Sequence, residues 1–192
     1  MKRIGIFLIS VFLISCYKEL AVLPRGTRDS LMAHGANQDT IPDGAEIKIH
    51  LKSDNINSDE TAIVFDHQAS ALYMQNEDAR YFAGFGQVSL ASFSAEGKAL
   101  AINTLPFTPS TVVHLDVKSI KDGTFTLGLS YKKNIPPYIA IWLKDKLAGD
   151  STNISAKQYA FNIQKADTNS FGKNRFSLVI KKQEVITTTT PH

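Results

Sequence analysis

Cys16 is the only cysteine in the chain and the residue with the most distinctive chemistry. A thiolate is the natural nucleophile for forming a thioether bond. Because the sequence contains no second thiol, the chain can form neither an internal disulfide nor a cysteine-rich zinc site. A lone thiol is expected to serve a covalent modification, and the residues before it indicate which one.

Residues 1–15 have the layout of an export signal. Lys2 and Arg3 form a short cationic start, and residues 4–14 (IGIFLISVFLI) form an almost unbroken apolar run. A helix needs about 20 apolar residues to cross a bilayer, so this run is too short for a membrane span. It has the size of a signal-peptide core, and we predict a signal peptide over residues 1–15.

The apolar run ends in Leu13-Ile14-Ser15-Cys16, which resembles the lipobox of bacterial lipoproteins. The resemblance implies that the Cys16 sulfur takes a diacylglyceryl group and that cleavage follows Ser15. Two or more acyl chains hold a protein stably on a membrane, because each buried methylene contributes about 0.8 kcal/mol. The mature chain is then expected at the cell envelope, on the outer membrane, facing either the periplasm or the exterior. An ordinary secretory signal with an incidental cysteine is the alternative.

The charge of the chain gives little indication of a partner beyond the membrane. The formal net charge is +3, but Lys2 and Arg3 belong to the predicted signal peptide. Without these two, 19 of the 21 basic side chains remain, and 18 acidic side chains nearly balance them. This balance does not provide the basic surface that nucleic-acid binding requires, so no nucleic-acid partner is expected.

No set of residues has the spacing of a catalytic or metal site. A G-x-S-x-G nucleophile motif is absent, and residues 54–60 (DNINSDE) lack the ligand positions and the glycine of an EF-hand loop. We therefore predict no catalytic residues, no metal and no cofactor. Four histidines that lack the i,i+2 or i,i+4 spacing of a local metal site are His34, His50, His67 and His114.

Four residues are weak candidates for ligand contact. Asp78 and Arg80 lie in a polar stretch, where the preferred interpretation is a contact that pins a long loop to the sheet edge. Tyr138 and Trp142 could form an aromatic platform for a sugar if their strand lies at an edge. Burial of Trp142 between two sheets is the preferred interpretation for that residue.

Hydrophobic alternation dominates the chain from Ala45 onward. Period-2 spacing places one set of apolar side chains on a single face of each strand, and turn residues separate the runs. We predict an all-β fold over residues 45–182, an antiparallel β-sandwich of about eight or nine strands with immunoglobulin-like or jelly-roll-like topology. The candidate strands are residues 47–51, 61–66, 87–93, 98–103, 111–117, 125–131, 138–143, 159–163 and 176–180.

The segments on either side of this domain have no sustained period. Residues 16–44 contain prolines and glycines and are predicted to form a flexible tether behind the lipid, and residues 183–192 a disordered tail. Within the domain, Arg175 is expected to alternate outward and to pair with a carboxylate such as Asp145.

Seven short stretches of the predicted domain are informative when taken in order: residues 59–65, 76–80, 100–106, 122–127, 141–145, 159–161 and 174–178. Together they resemble a β-sandwich module from the C-terminal regions of large secreted Bacteroidetes cell-surface proteins. The resemblance covers roughly residues 59–180 and implies an extracytoplasmic β-sandwich, without catalytic residues to carry over.

These observations favour a non-catalytic, lipid-anchored module that binds or adheres at the bacterial cell envelope. Loops or an exposed sheet edge would contact the partner, a glycan or an envelope protein. An accessory structural subunit of an envelope or secretion complex is the alternative. A hydrolase assembled from distant residues is the least favoured.

Overall fold

The structure is a computed structural model that describes residues 40–54, 56–84 and 86–183. Within these ranges the chain is all-β, with eleven strands and one turn of 3₁₀ helix, Thr168–Ser170. The predicted signal peptide, Cys16, and most of the predicted tether and tail lie outside the described residues. The strands are β1 Ala45–Lys52, β2 Ser58–Phe65, β3 Ala79–Arg80, β4 Val88–Phe93, β5 Ala99–Leu105, β6 Ser110–Ser119, β7 Gly123–Lys133, β8 Ile139–Asp145, β9 Asp150–Asn153, β10 Tyr159–Ile163 and β11 Gly172–Lys182.

The strands form one mixed sheet in the order β10-β7-β1-β2-β5-β4-β6-β11-β8-β9, with β3 paired to β5. All strand pairs in the described ranges are antiparallel except β2 with β5, which is parallel. The long connection between β2 and β5, which contains β3 and β4, allows this parallel return. The prediction of a wholly antiparallel fold is therefore wrong for the pairing of β2 with β5.

The core lies on the concave side of the curved sheet. Ile47, Ile49 and Leu51 of β1 are fully buried, and so are the alternating apolar residues of the strands around it. Each such side chain contributes about 1.5–3 kcal/mol by leaving water. The sheet nearly closes on itself, since the rings of Phe161 in β10 and Phe176 in β11 meet edge to face with centroids 4.7 Å apart.

All nine predicted strand segments lie on strands, and the structure adds β3 and β9. It also draws the end of the predicted tether into the domain, because Ile41 is buried in the core and the Gly44 amide donates to the Phe65 carbonyl. At the other end, the Gln183 amide donates to the Tyr138 carbonyl. Residues 41–44 therefore pack with the sheet.

Candidate functional site

The outer surface of β6, β11, β8 and β9 carries the most distinctive group of outward-facing side chains. Strand register places His114, Ser177, Lys144 and Ser151 in one row across the four strands, and Val112, Val179, Trp142 and Asn153 in the next. Their sequence neighbours point into the core. We call this surface, completed by Ser110 and Lys181, the Trp142 face.

Trp142 lies near the middle of this face and is half-buried. The inward positions of β8 are taken by Ile139, Ile141 and Leu143, all buried, so the indole points away from the core. The Lys181 ammonium lies 5.9 Å from the centroid of the indole ring. The expectation that Trp142 is a core residue was therefore wrong, and its ring is available from solvent.

A cavity of about 290 Å³ opens beside the indole. Its walls combine one aromatic ring with hydroxyl and ammonium groups, which suits a ligand that has both an apolar face and hydrogen-bonding substituents. The lining residues are Ser110, Trp142, Lys144, Ser151, Val179 and Lys181.

The other three candidate residues are not part of this face. Tyr138 is half-buried against the core, and its hydroxyl donates to the Thr40 carbonyl at 3.1 Å. Asp78 accepts from the backbone amides of Met74 and Thr104, each at 2.8 Å, and thereby ties the loop before β3 to β5. Arg80 is exposed on β3, which pairs with β5, and four strands, β5, β4, β6 and β11, separate β3 from β8 in the sheet order.

Beneath one end of the Trp142 face lies a buried ion pair. The Arg175 guanidinium contacts Asp145 with two parallel hydrogen bonds, Nε to Oδ1 at 3.0 Å and Nη2 to Oδ2 at 2.8 Å. The side chains are 5% and 1% exposed, respectively. The predicted pairing is confirmed, whereas the expected outward direction of Arg175 is wrong. A register shift between Gly172 and Phe176, here called the β11 bulge, turns Arg175 inward.

Every polar group of this pair has a partner. Arg175 Nη1 donates to the carbonyls of Asn162, at 2.7 Å, and Ser170. The guanidinium carbon also lies 4.9 Å from the ring centroid of Phe161 and 4.6 Å from that of Phe176. Asp145 also accepts from the amides of the following turn and from the Tyr159 hydroxyl. The pair thus fastens β8, β10, β11 and the 3₁₀ turn together.

The ionisation of the pair follows from these contacts. Burial alone would raise the pKa of Asp145, but the hydrogen bonds and charge of Arg175 outweigh it and hold that pKa below its usual value. Burial, together with the hydrogen bond to Asp145, raises the pKa of the Tyr159 hydroxyl to about 12. Asp145 is therefore a fixed carboxylate and Tyr159 a fixed proton donor at neutral pH.

The β11 bulge also shapes two adjoining cavities of about 630 and 760 Å³, which we call the bulge cleft. Both are lined by Lys146, Lys173, Asn174 and Arg175. The smaller one also contains Lys144 and Ser151, which line the cavity beside Trp142 as well. The bulge cleft is therefore continuous with the Trp142 face. The sequence analysis did not predict the bulge cleft, although the closely spaced Lys144 and Lys146 at the end of β8 indicate a local positive charge.

His50 is a second unusual group, on the outward side of β1. The residue is 5% exposed, and neither of its buried ring nitrogens has a hydrogen-bond partner among the described residues. A side chain at Gly128 would press on it, because a Cβ there would lie 3.3 Å from His50 Cε1 and 2.8 Å from Gln158 Cγ. Burial, and then the charge of Lys52, lower the pKa of His50, while Glu60 opposes them.

We expect the free energy of unfolding to fall as the pH decreases below about 6.5, because His50 binds a proton more readily in the unfolded chain than in the fold. One such group adds a slope of at most about 1.4 kcal/mol per pH unit. Urea denaturation at several pH values measures it. His50→Met should remove the slope, and His114→Gln, on the exposed outer face, should preserve it. An unchanged slope in His50→Met would assign the pH dependence to another group.

One exposed cluster in the described residues has the atoms to hold a cation. His67 Nδ1 lies 2.5 Å from Asp43 Oδ2 and 3.9 Å from Asp66 Oδ1. The His67 amide also donates to Asp43, and this hydrogen bond, with the His67 ring, lowers the pKa of the Asp43 carboxyl against the opposing effect of desolvation. These hydrogen bonds join the residues just before β1 to those just after β2, so we assign the cluster to holding the two strand ends together.

Comparison with protein-family models, with curated proteins and with solved structures finds no match to this chain. Within the described ranges, no helix has the length and apolar character needed to cross a bilayer.

Proposed function

We propose that this chain is a non-catalytic glycan-binding module, held at the bacterial cell envelope by a lipid on Cys16. The observation that carries the binding role is the position of Trp142, half-buried on the outer face of β8, where the apolar Val179 and the polar side chains of Lys144, Asn153 and Lys181 lie around it. The sugar would stack on the indole, and its hydroxyls would bond to the neighbouring strands.

The composition of the Trp142 face supports a sugar as the ligand. One side of a pyranose ring presents C–H groups, which leave water on contact with an aromatic ring, while its edges present hydroxyls. Indole offers a large apolar surface at low conformational cost. Ser151, Asn153 and Lys144 lie on strand positions adjacent to the ring and supply both donors and acceptors.

The chemistry of the buried carboxylate supports a role without catalysis. Glycoside hydrolysis uses two carboxyl groups on either side of the bond, one of them able to give a proton. Asp145 lies under the face, is paired with Arg175 and has a lowered pKa, so it is a poor proton donor. We assign it to holding the fold.

The fold is proposed to work as a sandwich, with β10-β7-β1-β2-β5 as one layer and β4-β6-β11-β8-β9 as the other. The two layers join at β4 and β5, which pair through only two residue pairs. In this arrangement the Trp142 face is the outer surface of the second layer. The lipid-bearing N-terminus would place the module on the outer membrane, facing the periplasm or the exterior.

The intrinsic fluorescence of the protein tests the proposal directly, because Trp142 is the only tryptophan in the chain. We expect the emission to shift or decrease when a recognised glycan is added. Trp142→Ala should lower the affinity about tenfold, or about 1.4 kcal/mol, measured by calorimetry with the same glycan.

Two controls keep this result interpretable. Trp142→Phe should retain part of the affinity, because a ring remains to stack. Phe82→Ala, which removes an 80% exposed ring outside the Trp142 face, should bind as the wild type does. If no glycan on an array changes the emission, and the protein instead co-purifies with one envelope protein, the chain is an accessory subunit and the glycan proposal is wrong.

A further inference from the structure

We infer that the glycan is acidic, with a sulfate or carboxylate group held in the bulge cleft next to the sugar on Trp142. This inference rests on the proposed function, since it names the class of ligand for the same face. It is carried by three lysines, Lys144, Lys146 and Lys173, which line the bulge cleft.

No carboxylate of the described residues neutralises the charges of these three lysines. In the described residues, none of the three makes an ion pair or a side-chain hydrogen bond. By contrast, Lys48 pairs with Glu60 at 3.6 Å, Lys98 with Glu96 at 2.9 Å, and Lys118 with Asp116 at 2.6 Å. The bulge cleft therefore concentrates positive charge that the fold itself does not neutralise.

The acidic residues at the cleft do not cancel this charge. Asp145 is neutralised by Arg175, and Asp116 by Lys118. Asp150 also lines the smaller cavity, and one of its oxygens accepts from the Ser151 amide at 2.6 Å. Three lysines thus face one carboxylate without an ion-pair partner in the described part of the cleft, and an anion would relieve their mutual repulsion.

The position of the charge relative to Trp142 points to an acidic glycan. Lys144 and Ser151 line both the bulge cleft and the cavity beside the indole. One ligand could therefore stack a sugar ring on Trp142 while its charged substituent reaches Lys144. Asn174, exposed at the rim of the same cleft, provides an additional amide donor for such an oxyanion.

Three polymers with the same sugar backbone test the inference: dextran, carboxymethyl dextran and dextran sulfate of matched chain length. We expect at least one of the two charged forms to bind about tenfold more tightly than dextran at low salt, and the difference to shrink as salt is added. Trp142 emission should respond to that polymer. Poly-L-glutamate, which has charge but no sugar, should leave the emission unchanged.

A pair of double variants locates the anion site. Lys146→Gln with Lys173→Gln should reduce the ratio of the affinities for charged and neutral dextran about tenfold and remove most of the salt dependence. Lys132→Gln with Lys133→Gln removes the same charge from the exposed end of β7, outside the bulge cleft, and should keep the wild-type ratio. An equal loss in both double variants would overturn a local anion site.

The remaining outcomes separate the two proposals. Equal affinity for dextran and both charged polymers, with a change in Trp142 emission, would overturn the acidic class and leave glycan binding standing. Binding of poly-L-glutamate with the same affinity as dextran sulfate, and no change in emission with any polymer, would overturn the glycan-binding function itself.

Discussion

Arg175→Ala is expected to lower the free energy of unfolding by about 3–5 kcal/mol, the range for removing one partner of a buried ion pair. The substitution leaves the Asp145 carboxylate 1% exposed and without its cation. It also leaves the carbonyls of Asn162 and Ser170 without the guanidinium donor. Urea denaturation at neutral pH, followed by far-UV circular dichroism, measures the loss.

The neighbouring Lys173 provides the matched control for this substitution. Lys173→Ala removes a positive charge two residues away, but from an exposed side chain, and should change the free energy of unfolding by less than about 0.5 kcal/mol. A double-mutant cycle with Asp145→Leu and Arg175→Met should show a coupling of several kcal/mol, because removing both charges leaves neither buried alone. Additive single effects would mean that the two side chains act independently.

The Asp145–Arg175 pair loses its contribution to stability at a lower pH than His50 does. Because the pKa of Asp145 is lowered in the fold, its contribution is complete above the value of about 3.8 for the unfolded chain and is lost as the pH falls through the folded value. The His50 effect begins near pH 6.5 instead. The free energy of unfolding, measured by urea denaturation at several pH values, should therefore decrease in two separate pH ranges as the pH falls.

Alternation was sufficient to predict where the long strands lie, because each one buries a single face. It did not predict β3 or β9, which have two and four residues. In β9 only Thr152 is buried, so no apolar pattern marks it. Alternation also indicates which face of a strand is buried, but not which strand lies beside it. The parallel pairing of β2 with β5 could therefore not be predicted from the sequence.

The candidate site shows a different limit of sequence reasoning. In residues 138–143 every side chain is apolar or aromatic, so the composition does not reveal that Ile139, Ile141 and Leu143 face the core while Trp142 faces out. For Arg175 the partner was predictable from charge and strand position. The inward direction of its side chain was not predictable, because the β11 bulge interrupts the inward–outward alternation. Nothing in the sequence before Phe176 indicates that the strand contains a bulge there.

Cys16→Ala is expected to transfer the protein from the membrane fraction to the soluble fraction of the cell. The proposed anchor is covalent and local, so without the thiol no thioether forms, and the anchoring free energy of about 0.8 kcal/mol per buried methylene is lost entirely. Cell fractionation with detection of the β-domain measures the distribution. Incorporation of labelled palmitate measures the modification, and it should be absent from the variant.

Trp142→Ala is the matched control, because it removes the proposed sugar contact and leaves the anchor intact. It should remain in the membrane fraction and incorporate palmitate as the wild type does, while losing affinity for the glycan. Anchoring and recognition would then be separable, with the lipid determining which surfaces the module meets and the Trp142 face determining which of them it holds. Retention of Cys16→Ala in the membrane, together with no palmitate in the wild type, would show that another part of the chain provides the attachment.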